Sequence, residues 1–147
     1  MSKIVNVFSR VLVLEIEPTP DTCLVSISSP KFEYAREINA NGWKDVIQLE
    51  FDDTIPEIAA FEKKSRGITE SVFTMEQAKN LLSFIERNNG SAFIVHCDAG
   101  ISRSVAVGSF MRDFFDYSPW FQRTIHDGFR NIYVYDLLRR AARNIKE

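Results

Sequence analysis

The residues best suited to chemistry stand together in one stretch, His96-Cys97-Asp98-Ala99-Gly100-Ile101-Ser102-Arg103-Ser104. A short apolar run leads into it and a helical pattern leads out. The backbone N–H groups of such a loop can converge on one point at a helix N-terminus. That point binds an anion through unsatisfied donors and the helix dipole. Gly100 allows a backbone conformation that a side chain would resist. Cys97 stands at the rim, where the dipole and a nearby guanidinium both favour thiolate. Arg103 follows Cys97 after five intervening residues and can offer a planar fork to two phosphate oxygens. Nucleophile, dipole and fork would then share one anion. Phosphoryl transfer to sulfur needs that arrangement: in-line attack, with charge on the equatorial oxygens stabilised.

A strand has to enter this loop and a helix has to leave it. Residues 92–96 form a short apolar strand, and residues 103–115 read as a helix apolar on most sides, as a core helix is. Upstream, Thr74 and Gln77 have the spacing of a capping box, with Phe73 placed to staple against Ala78. Ala78, Leu81, Leu82 and Ile85 then share one helical face, and Gly90 fits the stop. Residues 3–8, 10–16, 23–28 and 44–51 read as strands, the first two separated only by Ser9. Residues 31–39 suit a short helix. Residues 52–72 read as a long loop with one helical turn, and loops of that length are often functional. Residues 119–130 suit a helix and turn. Residues 131–144 form a last helix, with Val134, Leu138, Ala141 and Ile145 on one face. Strands alternating with helices imply an α/β domain, a central and mostly parallel twisted sheet flanked by helices. No repeat, low-complexity segment or linker interrupts the chain, so residues 1–147 are expected to form a single domain.

Composition narrows the setting. Hydrophobic residues make up 45% and charged residues 26% of the chain, as in a soluble globular protein. The longest apolar runs fall short of a membrane span, and the first ten residues lack a signal-peptide pattern. The expectation is a cytoplasmic protein. A net charge of -2 argues against general affinity for nucleic acid or an anionic membrane. Any attraction to phosphate must be local. Cys23 and Cys97 are expected to be reduced, and Cys23, inside an apolar run, reads as a small buried hydrophobe.

The segment HCDAGISRS resembles the signature of the protein tyrosine phosphatase superfamily: a His-Cys pair, five intervening residues, then Arg and a hydroxyl residue. It is most similar to the compact dual-specificity phosphatases, whose loops often read alanine-glycine-isoleucine-serine-arginine-serine. The helix-strand-loop-helix context over residues 73–115 matches as well. The likeness extends over about residues 44–115. The loop lies about two-thirds along the chain, unlike that of arsenate reductases and low-molecular-weight phosphatases, which is near the N-terminus.

The resemblance implies a cysteine-based phosphatase fold and a protein phosphatase that works through a phosphocysteine without metal or cofactor. Phosphotyrosine is the expected substrate, with phosphoserine and phosphothreonine left open. Cys97 would be the nucleophile and Arg103 would hold the phosphoryl group. Ser104 would assist departure of the thiolate, and His96 would support Cys97 as a structural residue. Asp98, Ala99, Gly100, Ile101 and Ser102 would line the phosphate with Arg103. Relatives carry the general acid as an Asp on a loop well before the cysteine. Leu49-Glu50-Phe51-Asp52-Asp53-Thr54 offers both Asp52 and Asp53, and Asp53 is preferred. Glu57, Glu62 and Glu70 are weaker choices, and the bland reading of Asp52-Asp53 is a solvated turn. No basic residue occupies positions 98, 99, 101 or 102, which favours a phosphoprotein or phosphopeptide over a polyanion. A monomer is expected, without nucleic-acid or membrane partners. The competing reading is a phospho-binding module that has lost catalysis. Elsewhere the bland readings prevail: Asp98 points to solvent, His126 lies on the surface, and Arg139, Arg140 and Arg143 form a wet helix face. Trp43, Trp120 and Phe121 serve packing.

Overall fold

The computed structural model describes residues 3–30, 38–98, 100–122 and 130–146. In chain order the elements are β1 (Ile4–Ser9), α1 (Arg10–Leu14), β2 (Thr22–Ser28), β3 (Asp45–Glu50), α2 (Pro56–Arg66), α3 (Met75–Arg87), β4 (Ala92–Cys97), α4 (Arg103–Phe115), β5 (Ser118–Phe121) and α5 (Ile132–Lys146). The five strands form one sheet in the order β3-β2-β4-β1-β5. Every pairing is parallel, so the α/β expectation holds with a sheet parallel throughout.

A parallel sheet of this kind is covered on both faces, and its strands are apolar on both sides. Successive side chains alternate between the faces. Val5, Val25, Phe93 and Val95 face the larger core, which α3, α4 and α5 complete. Phe8, Leu24 and Ile94 face a smaller core under α1, with Trp43 against its edge. In the larger core the Phe93 ring meets Phe84 and Tyr117 edge-on, with centroids 5.9 and 5.5 Å away. Truncating a fully buried Phe such as this one costs about 3–5 kcal/mol.

The cap of α3 forms as its sequence implies. Thr74 Oγ1 accepts from Gln77 N–H (3.1 Å), and Gln77 Oε1 accepts from Thr74 N–H (3.0 Å). Gln77 Nε2 also donates to the Glu50 carbonyl at 3.1 Å, which ties the start of α3 to the end of β3. The helix stops at Arg87, with Asn88 as its C-cap, and Gly90 lies beyond in a turn at φ 101°.

Three segments depart from expectation. Residues 10–16 are not a strand, because Ser9 ends β1 and caps the short helix α1 with its side chain. The run Val11-Leu12-Val13-Leu14 has strand-like composition, but only Val13 is buried. Residues 52–72 hold an 11-residue helix, α2, where one turn was expected. It buries none of its residues, so no apolar stripe betrays it. Residues 118–121 are the edge strand β5, so the helix and turn expected over 119–130 does not start at 119, and residues 123–129 lie outside the described residues. Pro119 is compatible with an edge position, where a missing N–H is tolerated. For the proposed helix over 31–39, residues 31–37 lie outside the described residues, and Ile38 and Asn39 are irregular. His126 and the side chain of Ile145 lie outside them too. Val134, Leu138 and Ala141 are buried in α5 as expected. Trp120 is 52% exposed, with its ring edge-on to Phe8. Among the described residues no helix is long and apolar enough to cross a membrane.

Candidate active site

β4 ends at Cys97, α4 begins at Arg103, and the intervening loop sits at the carboxyl end of the sheet. Ligands of open parallel sheets bind at that end. The loop is seated on β1. Gly100 has φ 71°, and a Cβ there would lie 2.8–2.9 Å from the backbone of Phe8 and Ser9. The Arg10 N–H donates to the Asp98 carbonyl at 3.2 Å. No residue but glycine fits position 100, for reasons of both conformation and space.

Cys97 is buried, and its Sγ lies 3.0 Å from Ser104 Oγ, one turn into the helix mouth. With a thiolate, the serine hydroxyl is the donor. His96 faces the other way, into the smaller core. Its Nε2 lies 2.6 Å from Oγ of Ser26, its partner across the β2–β4 ladder. Its Nδ1 lies 3.4 Å from the Cys97 carbonyl. A carbonyl only accepts, so the proton belongs on Nδ1, and Nε2 accepts from Ser26. Burial pushes the imidazole pKa down to about 4. His96 is therefore neutral and structural, holding the Cys97 backbone from behind the sheet.

Arg103 is 5% exposed. Nη1 donates to Ser29 Oγ (3.1 Å) and to the Phe51 carbonyl (2.9 Å), and Nη2 donates to Asp98 Oδ2 (2.9 Å). Ser29 Oγ in turn lies 3.5 Å from Asp98 Oδ2, closing a small ring. Three of the five guanidinium N–H groups are thereby committed to protein. What remains is the second Nη2–H and the Nε–H, and Nε is buried without a hydrogen-bond partner. Two donors left on one guanidinium can meet two oxygens of one anion. Asp98 thus departs from expectation: its carboxylate turns inward to the arginine, drawn by charge, rather than out to solvent.

Asp53 and Asp52 separate clearly. Asp53 is exposed, and its Oδ1 accepts from Ser102 Oγ (2.9 Å) in the loop and from Asn131 Nδ2 (3.0 Å). Asp52 is buried, and its Oδ2 accepts from the Ser71 N–H at 2.8 Å. Its own N–H reaches the Ser71 carbonyl at 2.7 Å. Asp53 is held against the loop, whereas Asp52 ties residues 52 and 71 together. The weaker carboxylates have other partners or places: Glu70 accepts from Thr54 Oγ1, Glu62 pairs with Arg66 on α2, and Glu57 stands in the first turn of α2.

Ile101 and Ser102 are half-buried in the loop, while Ala99 lies outside the described residues. Two residues that sequence reasoning passed over belong here. Ser29 holds Arg103 from the end of β2, and nothing in Ser28-Ser29-Pro30 signals that reach. Asn131 caps α5, its Oδ1 accepting from Val134 N–H at 3.1 Å. It also donates through Nδ2 to Asp53 and to the Thr54 carbonyl, and through N–H to the Ser102 carbonyl. An Asn directly before a long apolar-periodic helix is a cap signature, but its role as a clamp on Asp53 is a tertiary fact. Asp136 takes both Arg139 and Arg140, in keeping with a solvated helix face. Among the described residues no group of three or more His, Cys, Asp or Glu could hold a metal ion.

The arrangement can bind a tetrahedral anion at a helix N-terminus with a thiol beneath it, a buried guanidinium edge beside it and a carboxylate at its rim. No family model, no curated protein and no solved structure matches the chain.

Proposed function

We propose that the protein is a cysteine-dependent phosphatase acting on phosphoproteins. Phosphotyrosine is the first substrate class, and phosphoserine and phosphothreonine are the second. One observation carries the reading. Arg103 is buried and pinned by three partners, yet its Nε–H is left without one beside a loop that also holds a thiol. A buried donor left without a partner costs about 1–3 kcal/mol, and an oxygen of a phosphoryl group would satisfy it.

The proposed chemistry uses these groups in turn. Cys97 Sγ attacks phosphorus in line as the P–O bond to the substrate oxygen breaks. The leaving oxygen takes a proton from Asp53. With Oδ1 held by Ser102 and Asn131, Oδ2 is the oxygen to carry it. The charge on the equatorial oxygens rests on Arg103 and the loop N–H groups. Water then attacks the phosphocysteine, giving its proton back to Asp53, and the departing thiolate is met by the Ser104 hydroxyl.

The test is hydrolysis of p-nitrophenyl phosphate without added metal, wild type beside Cys97→Ser. Turnover in the wild type and none in the variant supports the proposal. Equal turnover in both removes Cys97 from the chemistry. Inactivity of both, with phosphopeptide still bound, makes the protein a phospho-binding module.

A further inference from the structure

Between the N-terminal ends of α2 and α5 runs an open groove of about 280 Å³. Ile55, Ile58 and Ile132 line it, and Asp53 and Ser102 line it too. An adjoining hollow shares Ile55 and Ile132 and adds Glu57. Ile58 is 51% exposed and Ile132 is 72% exposed. Neither serves the core: α2 buries nothing, and α5 packs through Val134, Leu137, Leu138 and Ala141. A single exposed isoleucine is ordinary. Here three share one groove whose end is formed by residues of the anion site.

We propose that this groove receives a large apolar side chain next to the phosphorylated residue of a phosphoprotein substrate. The inference rests on the phosphatase reading and specifies its substrate. Continuity argues for this occupant. Asp53 and Ser102 belong both to the groove and to the rim of the anion site, so a phosphoresidue bound at Arg103 would place its neighbours along the isoleucines. An extended chain advances about 3.3 Å per residue, so residues close in sequence to the phosphoresidue are the ones that meet the isoleucines. Charge argues in the same direction. Glu57 in the hollow beside the groove opposes an acidic neighbour. Arg130, also on the wall, has its guanidinium 4.7 Å over the Tyr135 ring.

The experiment compares kcat/KM for phosphotyrosine peptides that carry leucine, alanine or glutamate beside the phosphoresidue. Wild type, Ile58→Ser and Ile132→Ser are each assayed, with p-nitrophenyl phosphate as a substrate that has no flanks. Both isoleucines are largely exposed, so the variants keep the fold. The expected result is a preference of about tenfold for leucine over alanine. Glutamate should be poorest, and Ile132→Ser should erase the preference while p-nitrophenyl phosphate turns over as in wild type. Turnover of p-nitrophenyl phosphate without a leucine preference, or a preference that survives both substitutions, overturns the subsite and leaves the phosphatase reading standing. No turnover of any substrate removes that reading, and the subsite with it.

Discussion

Cys23 and Cys97 face the same core from the same sheet, and both are buried. They stand at opposite ends of it. Cys23 is near the start of β2, paired with Phe93, while Cys97 is the last residue of β4. At Cys23 burial dominates and pushes the thiol up to about 11, with Lys44 only partly offsetting it. At Cys97 a hydroxyl lies 3.0 Å away, a helix begins within the next turn and a guanidinium waits beside the loop. The lesson is that burial alone does not tell the two sites apart. Position along a parallel strand does, because only the carboxyl ends meet helix N-termini.

The sharpest attempt to break that contrast exchanges the roles. Cys97→Ser is expected to lower p-nitrophenyl phosphate turnover by about 10⁴-fold or more, whereas Cys23→Ala leaves it within about twofold of wild type. A large loss in the second variant, with its melting temperature unchanged, would erase the distinction.

The neighbouring carboxylates carry a smaller version of the same contrast. Asp53→Asn should lower turnover of a phosphotyrosine peptide about 10²- to 10³-fold. The loss on p-nitrophenyl phosphate should be smaller, because its leaving group needs less protonation. Asp52→Asn should instead cost about 1–3 kcal/mol of stability in urea titrations, since it weakens an anchor to Ser71. If Asp52 governs the leaving-group dependence, the assignment of the acid is reversed.

The far side of β4 gives a stability effect. The folded protein resists protonating His96, held at about 4 against an ordinary 6.5 by burial, whereas the unfolded chain accepts that proton readily. The contribution is complete above the unfolded value and is lost as pH falls from there toward the folded one. About 2 kcal/mol should disappear between pH 7.5 and 5. His96→Gln should flatten that slope in urea titrations even though it lowers stability overall.

Alkylation is the mildest probe. Iodoacetamide should label Cys97 in the native protein, and inorganic phosphate should slow it about two- to fivefold by occupying the loop, in line with simple competition. Cys23 should react only on unfolding. Mass spectrometry distinguishes the sites, and native labelling of Cys23 ahead of Cys97 would count against the ranking.

How much of this was legible in the sequence varied with the kind of signal. The loop announced itself because cysteine, glycine and arginine are local. The helix α3 did so because Thr74, Gln77 and its apolar face are periodic. Helix α2 has no buried side, so only its punctuation, Pro56 at the start and Gly67 at φ 67° after the end, could have revealed it. Helix α1 was disguised by alternating Val and Leu, and β5 by its shortness. Asp53 could be preferred over Asp52 only weakly, because what separates them is Ser102, Asn131 and Ser71, all distant in sequence. Asp98 was misjudged for the same reason: its direction is set by an arginine that Ser29 and Phe51 hold in place.

Strand β4 lies between β2 and β1, joining β3-β2 on one side to β1-β5 on the other. Until it is in place the sheet exists only as separate pieces, and the long-range pairings of β1 must wait for residues some ninety positions later. Such topologies assemble slowly and expose strand edges on the way. The same strand delivers Cys97. Assembly of the sheet and delivery of Cys97 to the mouth of α4 are thus one event.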